Sequence, residues 1–209
     1  MKRIIFLVIA SFAAFSLFDA AAQDAGKTPD DAGSWCSVQV MKPIDKAFLT
    51  ARLEHRSNSK FGNTECWFLA TAAGYKFTPW LTGDLGYEYW SIGGNPCHKA
   101  VFGVTGAVRQ GDLSVAWREK YELAFNPGKP GASTLRSRLR AQYIIPESAF
   151  RPYLMAELFS WDGWKRSLYY VGTDIVISKA CSFDLFYCYH LQAAGPAVHT
   201  AGVGFTLTL

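Results

Sequence analysis

Through most of the chain, apolar and polar residues alternate within segments of about 10 to 13 residues, and turn-forming residues separate these segments. Residues 134–145 are the clearest example: Arg136, Arg138 and Arg140 share one face, while apolar side chains such as Leu139 occupy the other. A period of two is the period of a β-strand, and a helix would scatter the three arginines around its axis. The pattern therefore predicts an all-β protein.

The same alternation predicts ten strands, at residues 47–56, 66–77, 81–90, 99–109, 113–125, 134–145, 150–161, 167–178, 182–191 and 199–209. Residues 35–41 are also strand-like, but including them gives an odd number, which is unusual for a bacterial single-chain barrel. They are interpreted as an extra strand or a segment folded inward, and twelve strands remain an alternative. The predicted fold is a single antiparallel up-and-down transmembrane β-barrel.

The predicted connections alternate in length. Residues 78–79, 110–112, 146–149 and 179–181 form short turns, whereas residues 57–65, 91–98 and 126–133 form longer connections. Short turns at one end and longer loops at the other are typical of outer-membrane barrels, and an even count places both termini in the periplasm. A soluble sandwich or lipocalin-like barrel can show the same alternation. Aromatic residues near the strand ends favour the membrane: Trp67, Tyr75, Phe77, Tyr87, Tyr89, Trp90, Tyr187 and Tyr189.

The first residues predict export. Lys2 and Arg3 precede an apolar run that ends in Ala20, Ala21 and Ala22, as in a cleaved secretory signal peptide. The predicted organisation is therefore a signal peptide at 1–22, a flexible segment at 23–33 and the barrel at 34–209. The predicted location is the outer membrane, with membrane lipid and the barrel-assembly machinery as partners. A net charge of +4 is too small to indicate nucleic-acid binding.

Charged residues of both signs fall on the face of the strands that is predicted to line the lumen. Buried charges in a narrow barrel are tolerated when they are paired and hydrogen-bonded, so the first interpretation is a lumen filled by salt bridges. The second is a site for a small anion or a lipid headgroup, because arginine suits carboxylate and phosphate geometry. The cluster consists of Arg118, Lys120, Glu122, Arg136, Arg138, Arg140 and Glu157.

The five cysteines show neither a C-x-x-C motif nor the spacing of a zinc site. In the predicted topology Cys66 and Cys97 lie at the outer strand ends, while Cys36 and Cys181 lie on the periplasmic side. Two disulfides, Cys66–Cys97 and Cys36–Cys181, are therefore a hypothesis, with Cys188 left inside the barrel.

The histidines offer little evidence of catalysis. His98 and His199 fall near the outer rim and His190 inside the barrel, and no motif links any of them to a nucleophilic serine. We therefore expect no enzymatic activity, no cofactor and no metal. The predicted role is a structural or interaction protein with an unidentified extracellular or periplasmic partner. The alternatives are an outer-membrane enzyme acting on lipid or peptide and a narrow channel for small anionic solutes.

Several short motifs resemble a known family. They are the run from Leu135 to Arg140, Phe150-Arg151-Pro152-Tyr153, Ala156-Glu157-Leu158-Phe159 and Tyr170-Val171-Gly172. Together they resemble the domain-of-unknown-function 2490 family, understood as outer-membrane barrels of uncharacterised role. The resemblance implies location and architecture, and no reaction. The last strand also looks like the signal read by the barrel-assembly machinery, although it ends in Leu209 where the commonest form ends in an aromatic residue.

Overall fold

The computed structural model describes residues 31–58, 60, 62–126, 131–160 and 163–209. The predicted signal peptide at 1–22 and residues 23–30 lie outside this part of the chain. The described residues form eleven strands: β1 (Asp31–Ile44), β2 (Ala47–Asn58), β3 (Asn63–Thr78), β4 (Leu81–Ile92), β5 (Asn95–Gln110), β6 (Leu113–Phe125), β7 (Ala132–Tyr143), β8 (Phe150–Ser160), β9 (Trp164–Val176), β10 (Cys181–Gln192) and β11 (Val198–Thr208). None of these residues forms a helix with the length and apolar character of a membrane span.

The strands close into one barrel in sequence order. Strands that follow one another along the chain pair antiparallel, and β1 completes the circle by pairing parallel with β11. In this last pair Asp31 lies opposite Val198 and Met41 lies opposite Thr208. Closure satisfies the backbone groups that an open sheet would leave at its edges.

The predicted barrel is confirmed, and the number of strands is corrected. The ten predicted segments correspond to β2–β11, but the described chain has eleven strands because residues 35–41 belong to β1. The even-number expectation is wrong here because a parallel pair closes the barrel. Residues 31–33, the last three of the segment predicted to be flexible, are part of β1.

The two ends of the described chain lie at opposite ends of the barrel. Because β1 and β11 are parallel, Asp31 is at one end and Leu209 at the other; these are called the Asp31 end and the Leu209 end below. The expectation of both termini on one side is therefore wrong for the described chain. The predicted long connection at 91–98 is instead a two-residue turn, in which Gly93 and Gly94 both have positive φ, as a tight hairpin requires.

The wall of the barrel has an apolar outer face and a mixed inner face. Among the large apolar side chains exposed on the outside are Val38, Leu49, Leu53, Leu69, Leu85, Phe102, Val104, Leu154, Val171 and Leu185. The inner face contains an apolar cluster of Trp35, Tyr153, Phe159, Leu168, Tyr170 and Cys188, and a second cluster of Cys66, Phe68 and Trp90. Trp90 was counted among the aromatic strand ends that favour the membrane, but its side chain is buried inside the barrel with Phe68.

Candidate functional site

The lumen has a charged wall and an aromatic wall. The charged wall consists of alternate residues on β4–β9, whose side chains all point inward because a strand has a period of two. Its ion-paired members are Asp84, Glu88, Lys99, Arg118, Lys120, Glu122, Arg136, Arg140, Glu157 and Asp174. The aromatic wall includes Trp35, Tyr170 and Phe186, which contact one another.

Glu122 and Glu157 hold the centre of the charged wall together. Glu122 is 3% exposed and accepts hydrogen bonds from Lys99 at 2.8 Å and from Arg136 at 2.7 Å, with Lys120 at 2.9 Å. Glu157 accepts two hydrogen bonds of 3.0 Å from Nη2 of Arg136. A buried carboxylate is stable only when it is paired and hydrogen-bonded in this way. Ion pairs of the kind predicted for the lumen are therefore present around Glu122 and Glu157.

Two further carboxylates of this wall, Asp84 and Glu88, bind Arg118 and Lys120. Nη1 and Nη2 of Arg118 donate to the two oxygens of Asp84, at 2.7 and 2.8 Å. Nζ of Lys120 donates to Glu88 at 2.6 Å. Two-point arginine–carboxylate pairs fix geometry as well as charge.

The aromatic wall also contains an ion pair. Glu54 is 1% exposed, and it accepts a hydrogen bond of 2.7 Å from Nε of Arg56 and another from Arg52. The guanidinium carbon of Arg56 lies near three aromatic rings, 3.9 Å from the centre of Trp35, 5.2 Å from that of Trp90 and 5.5 Å from that of Phe68. Arginine stacked on aromatic faces in this way is stabilised by cation–π attraction.

Two cavities occupy the lumen, one toward each end. The larger is about 650 Å³ and reaches the Leu209 end, where Pro43 and Asp45 line it; the smaller is about 250 Å³ and lies toward the Asp31 end. Three side chains, Arg56, Trp90 and Arg136, line both cavities. We call these three the septum, because they stand between the cavities.

Of the seven lumen residues predicted from sequence, six form ion pairs, and one does not. Arg118, Lys120, Glu122, Arg136, Arg140 and Glu157 are all paired. Arg138 lines the larger cavity and makes neither a hydrogen bond nor an ion pair with any of the described residues. The predicted cluster is therefore brought together, but Arg138 differs from its other members.

Sequence reasoning missed two cations and misplaced one ring. Lys99 pairs with Glu122, and its inward position follows from the alternation, because Lys99 shares its face of β5 with the buried Val101. Arg166 lies against the ring of Phe159, with 4.0 Å from its guanidinium carbon to the ring centre. Trp90 was counted among the aromatic strand ends that favour the membrane, but the alternation itself places it on the lumen face with Asp84 and Glu88.

The histidines lie in two different environments. His98 and His199 are on the outer face, where each ring Nδ1 is hydrogen-bonded to a tyrosine hydroxyl, that of Tyr87 and that of Tyr187. His190 is in the lumen, 3.1 Å from Oγ1 of Thr200. Catalysis by these residues was not expected from sequence, and that expectation stays a prediction. No group of three metal-ligating side chains occurs among the described residues.

All five cysteines are free in the structure, and neither hypothetical disulfide is formed. Cys66 is on β3 and Cys97 is on β5, so β4 separates them. Two strand spacings amount to roughly 9.6 Å, beyond the about 7 Å that a disulfide can bridge. Cys36 and Cys181 are likewise separated by β11, where they lie opposite Val203 and Leu207.

Comparison with known proteins supports the family and leaves the role open. No curated protein matches the chain. The solved structure of the NanC porin in a rhombohedral crystal form is similar over 76% of this chain and 86% of that chain, with 12% sequence identity and a TM-score of 0.48. A model of a family of proteins of unknown function, DUF2490, matches residues 32–198. The chain therefore belongs to the DUF2490 family, as its strand motifs indicate.

Proposed function

We propose that this protein is an outer-membrane β-barrel with a closed lumen, and that its role is structural or interactive. The apolar outer face supports the membrane location. The strands are 11 to 16 residues long, and a transmembrane β-strand needs about 9–11. Large apolar side chains such as Leu53, Leu85 and Leu154 remain more than half exposed on the outside, which is unfavourable in water and favourable in lipid.

Aromatic residues flank this apolar band at both ends. Toward the Asp31 end they are Trp67, Tyr87, Tyr89, Phe125, Tyr187 and Tyr189, and toward the Leu209 end they are Tyr75, Phe77, Trp80, Tyr143 and Phe150. Aromatic girdles at the two interfaces are typical of transmembrane barrels. They support insertion through a signal peptide and the barrel-assembly machinery, with lipid around the band.

The septum is the observation that carries the closed lumen. Arg56 and Arg136 are each fixed by a buried carboxylate, and Trp90 stacks on Phe68 with 4.1 Å between ring centres. Moving Arg136 aside would leave the buried Glu157 without its ion pair, which costs several kcal/mol. Moving Arg56 or Trp90 aside would break a hydrogen bond to the buried carboxylate of Glu54 or Glu88. We therefore infer that the wild-type barrel does not conduct, and that its contacts are with lipid, the periplasm or the cell exterior.

Cell fractionation and heat-dependent gel migration test this proposal. A closed membrane barrel should be found in the outer-membrane fraction and should migrate differently before and after boiling in detergent. In a planar bilayer the purified protein should give no steady conductance. A soluble periplasmic protein without a heat shift would contradict the membrane location, and stable unitary currents would contradict the closed lumen.

A further inference from the structure

Arg138 is an unpaired cation at the wall of a large cavity. It lies near the middle of β7, five residues from the strand end at Tyr143, which is roughly 16 Å along the strand. It lines the cavity of about 650 Å³ that reaches the Leu209 end. A guanidinium with five N–H donors and no carboxylate partner is unfavourable in a narrow lumen.

The carboxylates closest to Arg138 in the sheet are already bound to other arginines. Glu157 lies directly across on β8, but both its oxygens accept hydrogen bonds from Arg136. On the other side, β6 presents Arg118 to Arg138, and Arg118 itself occupies both oxygens of Asp84. The wall therefore has more donors than acceptors at this position.

The next positions along β7 do not supply an acceptor either. Arg136 and Arg140 flank Arg138 on the same face, and Nε of each is buried with no hydrogen-bond partner. Nη2 of Arg140 donates a hydrogen bond of 2.8 Å to Asp174. The guanidinium of Arg140 also stacks on Tyr153, with 3.8 Å from its carbon to the ring centre. Four cationic side chains, Arg118, Arg136, Arg138 and Arg140, thus surround one point of the cavity wall.

We propose that the cavity at the Leu209 end is a binding site for a small organic oxyanion, a carboxylate or a phosphate monoester, whose oxygens bind the guanidinium of Arg138. The planar fork of arginine matches both kinds of oxyanion. This binding role goes beyond that of a closed membrane barrel, and it does not depend on where the barrel resides.

The opposite wall of the same cavity indicates what the rest of the ligand should be. Trp35, Phe68, Phe186 and Tyr170 line it. A ligand with an anionic group and an aromatic or other apolar body would contact both walls. Binding sites commonly combine an apolar lining with a few polar groups that fix orientation.

The entrance indicates a dissolved ligand. The cavity reaches the barrel mouth beside Pro43, Asp45 and Lys76, and the wall between it and the outer face is continuous sheet. A lipid headgroup would have to enter through the mouth with its acyl chains. The site is therefore assigned to a soluble anion that enters from the side of the membrane that the Leu209 end faces.

Isothermal titration calorimetry of the purified barrel in neutral detergent tests the site, with phenyl phosphate and benzoate as probes and benzyl alcohol as the uncharged comparison. The wild type should bind the two anions saturably, and the alcohol should not bind. Arg138→Gln should weaken anion binding by about tenfold or more, because hydrogen bonds to a charged partner are lost. Arg138→Lys keeps the charge but loses the planar two-point geometry, so its anion affinity should lie between those of the wild type and Arg138→Gln.

Arg166→Gln is the matched control. Arg166 is also an arginine that stacks on a ring, but it lines the smaller cavity on the other side of the septum, so its replacement should leave anion affinity unchanged. Equal affinity of the wild type and Arg138→Gln, or no saturable binding of either anion to the wild type, would overturn the proposal. Competition by phosphatidic acid in mixed micelles would overturn the assignment to a soluble ligand.

Each protein is first checked for its heat-dependent gel shift. A variant that keeps the shift and loses binding supports the site, and Arg138→Lys provides the comparison if Arg138→Gln does not fold. A wild type that shifts normally but binds no anion disproves the site alone. A wild type that conducts current but still loses anion affinity on Arg138→Gln disproves the closed lumen and leaves the site supported.

Discussion

The guanidinium carbon of Arg56 lies 3.9 Å from the centre of the Trp35 ring. Arg56 is on β2 and Trp35 is on β1, directly across the ladder. Arg56 belongs to the septum, and β1 is the strand that closes the barrel against β11. One contact therefore joins the strand that closes the barrel wall to a side chain that blocks the lumen.

Removing the septum should open the lumen. The double variant Arg56→Ala/Trp90→Ala deletes two of the three side chains that line both cavities, and Glu54 keeps Arg52 as a partner. We expect this variant to show unitary currents in a planar bilayer under conditions in which the wild type is silent.

Trp67→Ala is the control for the septum variant. Trp67 is also a tryptophan near the Asp31 end of the barrel, but it is 40% exposed on the outer face and contacts Tyr89. Its replacement should leave the barrel silent. Currents from this control, or a silent double variant that keeps its heat shift, would show that other side chains close the lumen.

Arg136 should be among the most important single charges for stability. It bridges Glu122 and Glu157, so Arg136→Gln leaves two buried carboxylates with fewer partners. Breaking a buried ion pair by removing one member costs about 3 kcal/mol or more. The denaturant concentration at which the heat-modifiable band disappears should fall accordingly. An unchanged midpoint would indicate that Lys99, Lys120 and Arg138 suffice for both carboxylates.

Replacing Arg138 should stabilise the protein when no ligand is bound, whereas replacing Arg136 should destabilise it. Arg138→Gln removes a cation that faces Arg118 across the ladder and makes no ion pair within the described chain. We expect the free energy of unfolding to rise by about 1 kcal/mol, because an uncompensated charge in the lumen is lost. The same gel assay measures it. A decrease as large as that for Arg136→Gln would mean that Arg138 pairs with Glu157 in solution.

The thiols provide a fourth test. Because strands separate the members of both hypothetical disulfides, we expect five free cysteines. Denaturing alkylation without reductant should give the same mass as alkylation after reduction. Under native conditions the buried Cys66 and Cys188 should resist a water-soluble reagent. A deficit of two alkylated thiols in the unreduced sample would establish a disulfide and require β4 or β11 to shift.

Alternation along the chain was sufficient to predict ten of the strands, and β6 has the predicted bounds. The pattern also marked residues 35–41 of β1 as strand-like, but they were left out because they make the number of strands odd. The parallel pairing with β11, which allows an odd number, is announced by no hairpin signal. The inward charges were predictable for the same reason as the strands. The ion pairs among these charges were not predictable, because pairing depends on the register between strands distant in sequence. Asp84 and Arg118, for example, are 34 residues apart.

Glu119 is a charge on the face of the barrel that we propose meets lipid. It is the central residue of β6, with alternate side chains Trp117 and Tyr121 beside it on the outer face. Its two oxygens accept hydrogen bonds from Nε1 of Trp117 at 2.8 Å and from the hydroxyl of Ser137 at 2.6 Å. Two neutral donors reduce the cost of a carboxylate at mid-height, but they do not neutralise it.

Replacing this carboxylate by an amide should stabilise the inserted barrel. In Glu119→Gln the side-chain oxygen can still accept from Trp117, while the charge is removed, so we expect the free energy of unfolding in lipid vesicles to rise by about 1 kcal/mol. Glu147→Gln, in the exposed connection between β7 and β8, is the control and should have little effect, because that position lies outside the strands near the interface. A large loss of stability in Glu119→Gln would indicate that Glu119 meets a polar partner and not lipid, and that this side of the barrel is a contact surface.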